Sequence, residues 1–489
     1  MPYARVVLGF LLAILTTGWG CMPGADSRPN IVLIVLDTVR ADRMDCRSDN
    51  AVPTPRIDEL CARGSYFERV SSTSSWTLPA HASLFTGLYP IRHGATQEYT
   101  FLDERARTLA ELLGEGGYRT FGVSANPVVS IQSGLARGFD SFEETWRVSA
   151  GPASTRPERH PNLLALDELL EYRDTRRPFF LFVNFIEAHG PNEPPEPYRS
   201  AVARRRIDSR EISEAREHDA EHYYLDPASV SESDFTLLAT LYDGEVAQLD
   251  ALVGALIDRL EADGLLEDSV LILTSDHGEN FGDHGHFRHV FSLHQSTVHV
   301  PLLVVLPDHA HAGERRSDPV ALVDLFATIL AAAGVVPPAS DNDARDLFAA
   351  EPSVDAERPV VAEYYFPAQA LSLFEPDALV VHRDRLGRYL RRLRSIESDG
   401  LRLIWSSDGA HELYDLAADP SETRNLAGDP RFAARERELH AGLEAFVAES
   451  GGPRPLPGGA WRRGEPRGAF KDLDSESAEL LRELGYLPR

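Results

Sequence analysis

Short apolar runs rich in β-branched side chains recur along this chain and stop abruptly at polar residues. Val32–Thr38 (VLIVLDT) is apolar up to Asp37, and Val270–Glu279 (VLILTSDHGE) is apolar up to the Thr274-Ser275 step before Asp276-His277. Runs this short predict strands, and a sharp polar end is how a buried strand delivers side chains to its carboxyl edge. Arg119–Val123, Phe179–Phe185 and Leu302–Leu306 read as further core strands. Helical patterns alternate with them. Leu109–Leu113 is stopped by Gly114, Gly116 and Gly117, and Leu237–Glu261 spaces Leu238, Leu241, Leu249, Leu252, Leu256 and Leu260 at a helical period. The alternation predicts an α/β fold, a large and mostly parallel sheet covered by helices on both faces. Such sheets bind ligands along the carboxyl edge.

From about Val354 the pattern shifts. Leu401–Trp405 and Glu412-Leu413-Tyr414, joined through Ser406-Ser407-Asp408-Gly409, predict antiparallel strands, and Phe432–Ala448 predicts a helix. The expected layout is a main domain at 28–350, a smaller C-terminal antiparallel-sheet subdomain at 351–450, and a linker with a short terminal helix at 451–489. Residues 191–234 are rich in Pro and then in charge, including Arg204-Arg205-Arg206. Their weak apolar period predicts a solvated surface loop with some helix, in preference to a substrate clamp.

Composition narrows the setting. With 43% hydrophobic residues in 489, the chain can bury a large core, and its formal net charge of −27 argues against nucleic acid and against electrostatic attachment to anionic lipid. Met1–Cys21 opens with Arg5, runs apolar from Val6 to Leu15 and reaches Thr16-Thr17-Gly18, a secretory signal pattern. The protein is therefore expected to be exported, to a periplasmic, cell-surface or secreted location. Gly20-Cys21 is compatible with membrane attachment through a lipidated Cys21, whereas Gly18 and Trp19 are poor residues for that cleavage box. An oxidising compartment permits a disulfide between Cys46 and Cys61, but Cys61 falls on a predicted helix from Ile57 to Arg63. Two unpaired, partly buried thiols are the expectation.

A third stretch supplies a reacting atom. In Ser75–Gly87 (SWTLPAHASLFTG), Pro79 suits the first turn of a helix running through Ala82-Ser83-Leu84-Phe85, which predicts Thr77 just ahead of it. Free N–H groups and the positive dipole end favour an anion there. A threonine hydroxyl is too weakly acidic to react unaided at neutral pH. One divalent cation held by Asp37, Asp276, His277 and Thr77 itself is expected to activate it. An imidazole among hard oxygen ligands suits manganese, zinc, magnesium or calcium, and tilts the choice toward manganese or zinc.

On these three stretches the chain resembles the sulfatase family of the alkaline phosphatase superfamily. The likeness runs from Arg28 onward and extends to Ala110–Asn126, Phe182–Pro195, Tyr242–Leu266 and His411–Leu426. It implies an alkaline phosphatase/sulfatase-like fold and hydrolysis of sulfate or phosphate/phosphonate esters of small molecules, glycans or lipids. The departures are specific. Sulfatases carry Cys-x-Pro-x-Arg, the Cys becoming formylglycine, where this chain has Thr77-Leu78-Pro79-Ala80-His81. The family's Asp-Asp is Asp37-Thr38, its Asp-Asn is Asp276-His277, and the single lysine is Lys471. These changes resemble the threonine branch of the superfamily. A formylglycine hydrate expels sulfate by collapsing to the aldehyde, whereas a threonine ester must be attacked by water or another acceptor, as phosphorus chemistry allows. Phospho-type esters are therefore favoured, with sulfate esters kept open. A phospho-group transferase acting on glycan or lipid acceptors and an inactive anion-binding relative are the alternatives.

The resemblance also implies roles for other residues. His81 stands in the family's Arg position and is expected to bond the transferred oxyanion, unless it only bonds a helix carbonyl. His189, in Glu187-Ala188-His189-Gly190-Pro191, matches the family's His before Pro and is a catalytic candidate. Six of the 17 histidines lie between His277 and His299. Among them, His284 and His289 fall where the family places a His and a Lys. His289 is thus a catalytic candidate, His284 and Arg288 are substrate-binding candidates, and His286 and His294 are expected to be surface or structural. The Asp-x-x-x-His spacing of a second metal is absent, since Phe185 stands four residues before His189.

Overall fold

The computed structural model describes residues 28–451, apart from 45, 47–51, 148–155, 172, 219, 338–341, 350–357, 368–373 and 375–380. The expected signal segment, Cys21 and the terminal helix lie outside the described residues.

An eight-stranded sheet organises the molecule. In spatial order its strands are Ser141–Glu144, Arg119–Ser124, Phe179–Phe185, Asn30–Leu36, Ser269–Ser275, Leu302–Val305, Ser65–Phe67 and Arg315–Arg316. The first five are mutually parallel, and Leu302–Val305 runs against its neighbours on both sides. The register aligns Leu36 with Phe185 on one side and with Ser275 on the other, so three central strands end level. Whatever follows them emerges at one edge.

These strands are apolar without alternation because both faces are covered. Ile31, Leu33 and Val35 join Phe180, Phe182 and Ile272 in one core, while Val32, Ile34 and Leu36 join Leu181, Val183 and Leu273 in the other. Truncating any of these to Ala would cost about 2–5 kcal/mol through lost transfer energy and a cavity. The second core is roofed by the helix Glu232–Ala262, which starts at a Ser231/Asp234 capping box. That helix also fixes the turn after the strand Asn30–Leu36. The Tyr242 hydroxyl donates to Thr38 O and accepts from Arg40 N, each at 2.9 Å. Asp250 caps the helix Pro55–Arg63 by accepting from Ile57 N at 2.8 Å.

A second, four-stranded antiparallel sheet comprises Val360–Tyr364, Leu393–Ser398, Leu401–Ser406 and Glu412–Asp415. Leu439 and Leu443 of the helix Ala433–Glu449 pack with its Ile396, Leu403 and Leu413. Its tightest hairpin turns on Asp399 and Gly400, both at positive φ (50° and 74°), as a two-residue turn demands.

Two expectations are corrected. Cys46 and Cys61 form a disulfide. The segment after the strand Asn30–Leu36 folds back onto the helix Pro55–Arg63 and brings the two Cα atoms to 5.9 Å, which a helical position for Cys61 does not prevent. Residues 191–234 carry the expected helix, as Tyr198–Ala203, Ser209–Arg216 and Ala220–Leu225, but are not solvated throughout, since Ile207, Ile212, Tyr223 and Tyr224 are buried. Spread over elements this short, the apolar residues never build a visible period. Tyr224 ties the segment to the loop after Asp276, its hydroxyl donating to Phe287 O at 2.9 Å.

Candidate active site

Asp37 and Asp276 extend adjacent parallel strands by one residue and so stand side by side, both buried. With His277 they form a group whose ligand atoms all lie within 4.8 Å of one another. Each carboxylate is steered through one oxygen only. Asp37 Oδ2 accepts from Asn126 Nδ2 at 2.5 Å, and Asp276 Oδ1 accepts from the backbone N–H groups of Thr38 and His277 at 3.1 and 2.8 Å. The other oxygens, Asp37 Oδ1 and Asp276 Oδ2, are buried without a hydrogen-bond partner among the described residues. Burial, then the neighbouring Asp276 charge, push the Asp37 carboxyl well above the usual carboxylate range. Two buried acids sharing one corner need a cation. The hard oxygens and the single imidazole fit a divalent metal.

Thr77 completes the corner. It is the first residue of the helix Thr77–Thr86, with Trp76 as N-cap, so it belongs to the first turn where a position just ahead of the helix had been expected. Pro79 still falls in that turn, where no intrahelical N–H is required. The Thr77 hydroxyl lies 3.1 Å from His277 Nε2. His277 Nδ1–H donates to Gly278 O at 3.0 Å, which leaves the Nε2 lone pair directed into the corner.

His81 sits one turn along, fully buried. Its Nδ1–H donates to Thr77 O at 3.0 Å and is 3.5 Å from Asp276 Oδ2, while the ring meets Phe85 and Phe182 edge-on. Burial pushes its pKa down. On the other side, His189 Nδ1–H donates to Gly190 O at 2.8 Å, and its Nε2 is 3.2 Å from His289 Nε2. His289 Nδ1 also lies 3.3 Å from Ser75 O, so with a hydrogen on each Nδ1 the two Nε2 lone pairs face each other across a gap that one added proton can bridge. Burial lowers the pKa of His289 well below the usual range and that of His189 to about 3. The His289 ring also lies 4.5 Å from that of His277, so Thr77, His277, His289 and His189 form one continuous row.

Arg288 borders this row. Its Nη1 is 3.9 Å from Glu279 Oε2, and Asn280 holds its backbone from both sides, accepting from Arg288 N and donating to Arg288 O. His284 stands elsewhere. It is exposed, and its ring stacks at 3.8 Å on His294, which bonds Glu412 of the second sheet at 3.0 Å. His286 and His294 are buried framework residues. Asn126 and Glu279 were not singled out from the sequence. Asn126 follows the strand Arg119–Ser124 as Asp37 follows its own, so a polar residue just past an apolar run was the available signal.

The buried acidic corner, with a hydroxyl beside it at the carboxyl edge of a doubly covered parallel sheet, is a group of side chains able to hold a metal ion. The chain belongs to the sulfatase family, whose model, described as Sulfatase, matches residues 29–335. It lies within the alkaline phosphatase superfamily. The multifunctional alkaline phosphatase superfamily protein PehA of Trinickia caryophylli is 26% identical over 488 residues, covering 84% of this chain and 94% of its own. The uncharacterized sulfatase YidJ of Escherichia coli (strain K12) is 26% identical over 461 residues, covering 86% and 87%. Among solved structures, the phosphonate monoester hydrolase of Agrobacterium radiobacter superposes with a TM-score of 0.69 at 22% identity, over 86% of this chain and 96% of that one. Among the described residues no helix is long and apolar enough to cross a membrane.

Proposed function

We propose that this protein is an exported hydrolase of phosphate or phosphonate esters in which Thr77 is the nucleophile. The observation that carries the reading is the Thr77 hydroxyl, 3.1 Å from His277 Nε2 and beside two buried carboxylates that each leave one oxygen without a donor. A divalent cation held by Asp37, Asp276, His277 and Thr77, with manganese or zinc ahead of magnesium or calcium, would supply the charge that makes this hydroxyl reactive.

The residues divide the remaining work. Thr77 Oγ1, its proton already released to solvent, attacks phosphorus in line as the bond to the leaving oxygen breaks, and that oxygen takes a proton bridged between His189 Nε2 and His289 Nε2. Water then attacks the threonine ester, gives a proton back to the pair and frees Thr77. The positive dipole end of the helix Thr77–Thr86 stabilises the anion. His81 is assigned to holding Thr77 O, and His284 to the contact with the second sheet, away from the oxyanion. The Cys46–Cys61 disulfide supports an oxidising destination, in keeping with the N-terminal signal pattern.

Phosphonate monoester hydrolases stand among the similar structures, which supports a phospho-type substrate. Sulfate esters are the second reading, favoured by relatives that include an N-acetylglucosamine-6-O-sulfatase. Against it stands Thr77, whose sulfate ester has no aldehyde through which to collapse. A panel of nitrophenyl sulfate, phosphate monoester, phosphodiester and phosphonate, assayed with several metals on wild type and Thr77→Ala, separates the two. Turnover that survives in Thr77→Ala would sink the nucleophile assignment, and turnover of sulfate alone would sink the phospho-type substrate.

A further inference from the structure

The two turns that carry the carboxylates are fastened to each other. Thr38 N donates to Asp276 Oδ1 at 3.1 Å, and Val39 N donates to Ser275 Oγ at 2.9 Å, while that hydroxyl donates in turn to His277 O at 2.8 Å. The chain makes these bonds with Thr38 at φ 59°. A β-branched residue is strained in this left-handed region, where its Cβ crowds the following carbonyl oxygen. Thr38 does nothing to hold itself there, since it is fully buried and its Oγ1 has no hydrogen-bond partner among the described residues. Tyr242, on the helix Glu232–Ala262, supplies the hold. Its hydroxyl donates to Thr38 O and accepts from Arg40 N, each at 2.9 Å, so one phenol brackets the turn. The ring is fully buried, and burial pushes the phenol well above the usual tyrosine value, which keeps in place the proton it donates.

We propose that Tyr242 is a positioning residue for the metal centre: it holds Thr38 in its strained conformation, and so keeps Asp276 Oδ1 bonded to Thr38 N and leaves Asp276 Oδ2 for the cation. The inference rests on the metal reading of the site given above. Asp37 directly precedes Thr38 and Asp276 is bonded to it, so relaxation at Thr38 would shift one ligand and release the other. Ligands already gathered bind a metal more tightly than ligands that must first be brought together. Strain of this kind persists only where the surroundings over-determine it. Here the deciding contact comes from an element that carries no ligand, and the shape of the acidic corner depends on a side chain bonded only to backbone.

The test uses full-length protein and manganese or zinc ion, whichever wild type binds more tightly, with dissociation constants from competition with a chelating dye. Tyr242→Phe is expected to weaken metal binding about tenfold or more, although every ligand is still present. Glycine adopts positive φ without strain, so Thr38→Gly should bind metal within about threefold of wild type. For the same reason the double variant Thr38→Gly/Tyr242→Phe should bind metal more tightly than Tyr242→Phe alone, a rescue that a merely structural role would not give. Melting in chelator isolates the strain from the metal. There Thr38→Gly should melt above Thr38→Ala, which reverses the usual order of those two residues. Affinity unchanged in Tyr242→Phe, a double variant no better than Tyr242→Phe, loss of affinity in Thr38→Gly, or Thr38→Ala melting at or above Thr38→Gly would each overturn the proposal. A wild type that binds neither ion better than Asp37→Asn does would overturn the metal reading and this proposal with it, whereas any failure among the variants of a metal-binding wild type overturns the role of Tyr242 alone.

Discussion

Two groups of histidines share the stretch from His277 to His294, and they differ in how their acids are satisfied. In the first, Asp37 and Asp276 lie against His277 and Thr77, and two carboxylate oxygens have no donor among the described residues. In the second, Glu412 Oε2 accepts from His294 Nε2 at 3.0 Å and from the Tyr414 hydroxyl at 2.7 Å, with Arg391 at 3.7 Å from its other oxygen. His294 is satisfied at its other nitrogen too, by the Ser292 hydroxyl at 3.0 Å. The electrostatic outcomes are opposite. Burial raises the Asp37 carboxyl, and the adjacent Asp276 raises it further. Burial also works to raise Glu412, but the His294 bond and charge, Tyr414 and Arg391 overcome it and hold the group down at about 2. A buried polar group completed by its own neighbours is framework; one left incomplete is waiting for a ligand.

The largest effect expected from that contrast is on turnover. Thr77→Ala should lower kcat/KM by at least about 10³-fold, since it removes the nucleophile itself, whereas folded His294→Ala should lose less than about tenfold. Steady-state assays on the best ester of the nitrophenyl panel check both. Comparable losses in the two variants would erase the distinction between the groups.

Metal removal comes next. A cation bound at a hundredfold excess over its Kd stabilises the fold by about 2.7 kcal/mol, and chelation should remove that increment. Asp37→Asn should carry no metal by mass spectrometry and show no chelator-dependent shift in melting temperature. Glu412→Gln should keep both. Asn126→Ala sharpens the same point more gently, since Asn126 Nδ2 orients Asp37 through Oδ2 at 2.5 Å. Losing that orientation should weaken metal affinity about 10–100-fold with the ligands all present, measured by competition with a chelating dye.

How much of this could be read from the chain depended on whether the signal was local. Asp37 and Asp276 were legible because each ends an apolar run, and a run that stops at an acid marks an edge wherever its strand lies. Thr77 was legible through Pro79. Asn126 follows the same rule, but the Ser124-Ala125-Asn126 step is no sharper than an ordinary turn, and its approach to Asp37 depends on sheet order, with only the strand Phe179–Phe185 between their two strands. The Cys46–Cys61 bridge is a product of chain folding with no pattern of its own. His284 misled because two residues in six positions of one loop, His284 and His289, face different neighbours: one stacks on His294, the other lies against His277. Spacing along an irregular loop carries no direction, unlike spacing along a strand or helix.

The smallest expected effect tests the self-sufficient group. A carboxyl whose folded pKa is depressed contributes stability that is fully present above its unfolded value and is lost as pH falls through the folded one. For Glu412 the window runs from the ordinary 4.5 down to about 2. Urea unfolding between pH 7 and pH 3 should therefore show wild type losing more stability than Glu412→Gln, by about 1–2 kcal/mol over the accessible part of that window. The amide keeps an acceptor for His294 but has no charge to protonate, so the difference between the two slopes isolates the carboxylate. The side chain is mostly buried, which protects the effect from screening, and added salt should change it little. Parallel slopes for the two proteins would mean that His294 and Tyr414 do not hold Glu412 ionised. The second group would then be as incomplete as the first, and the case for treating it as framework would fail.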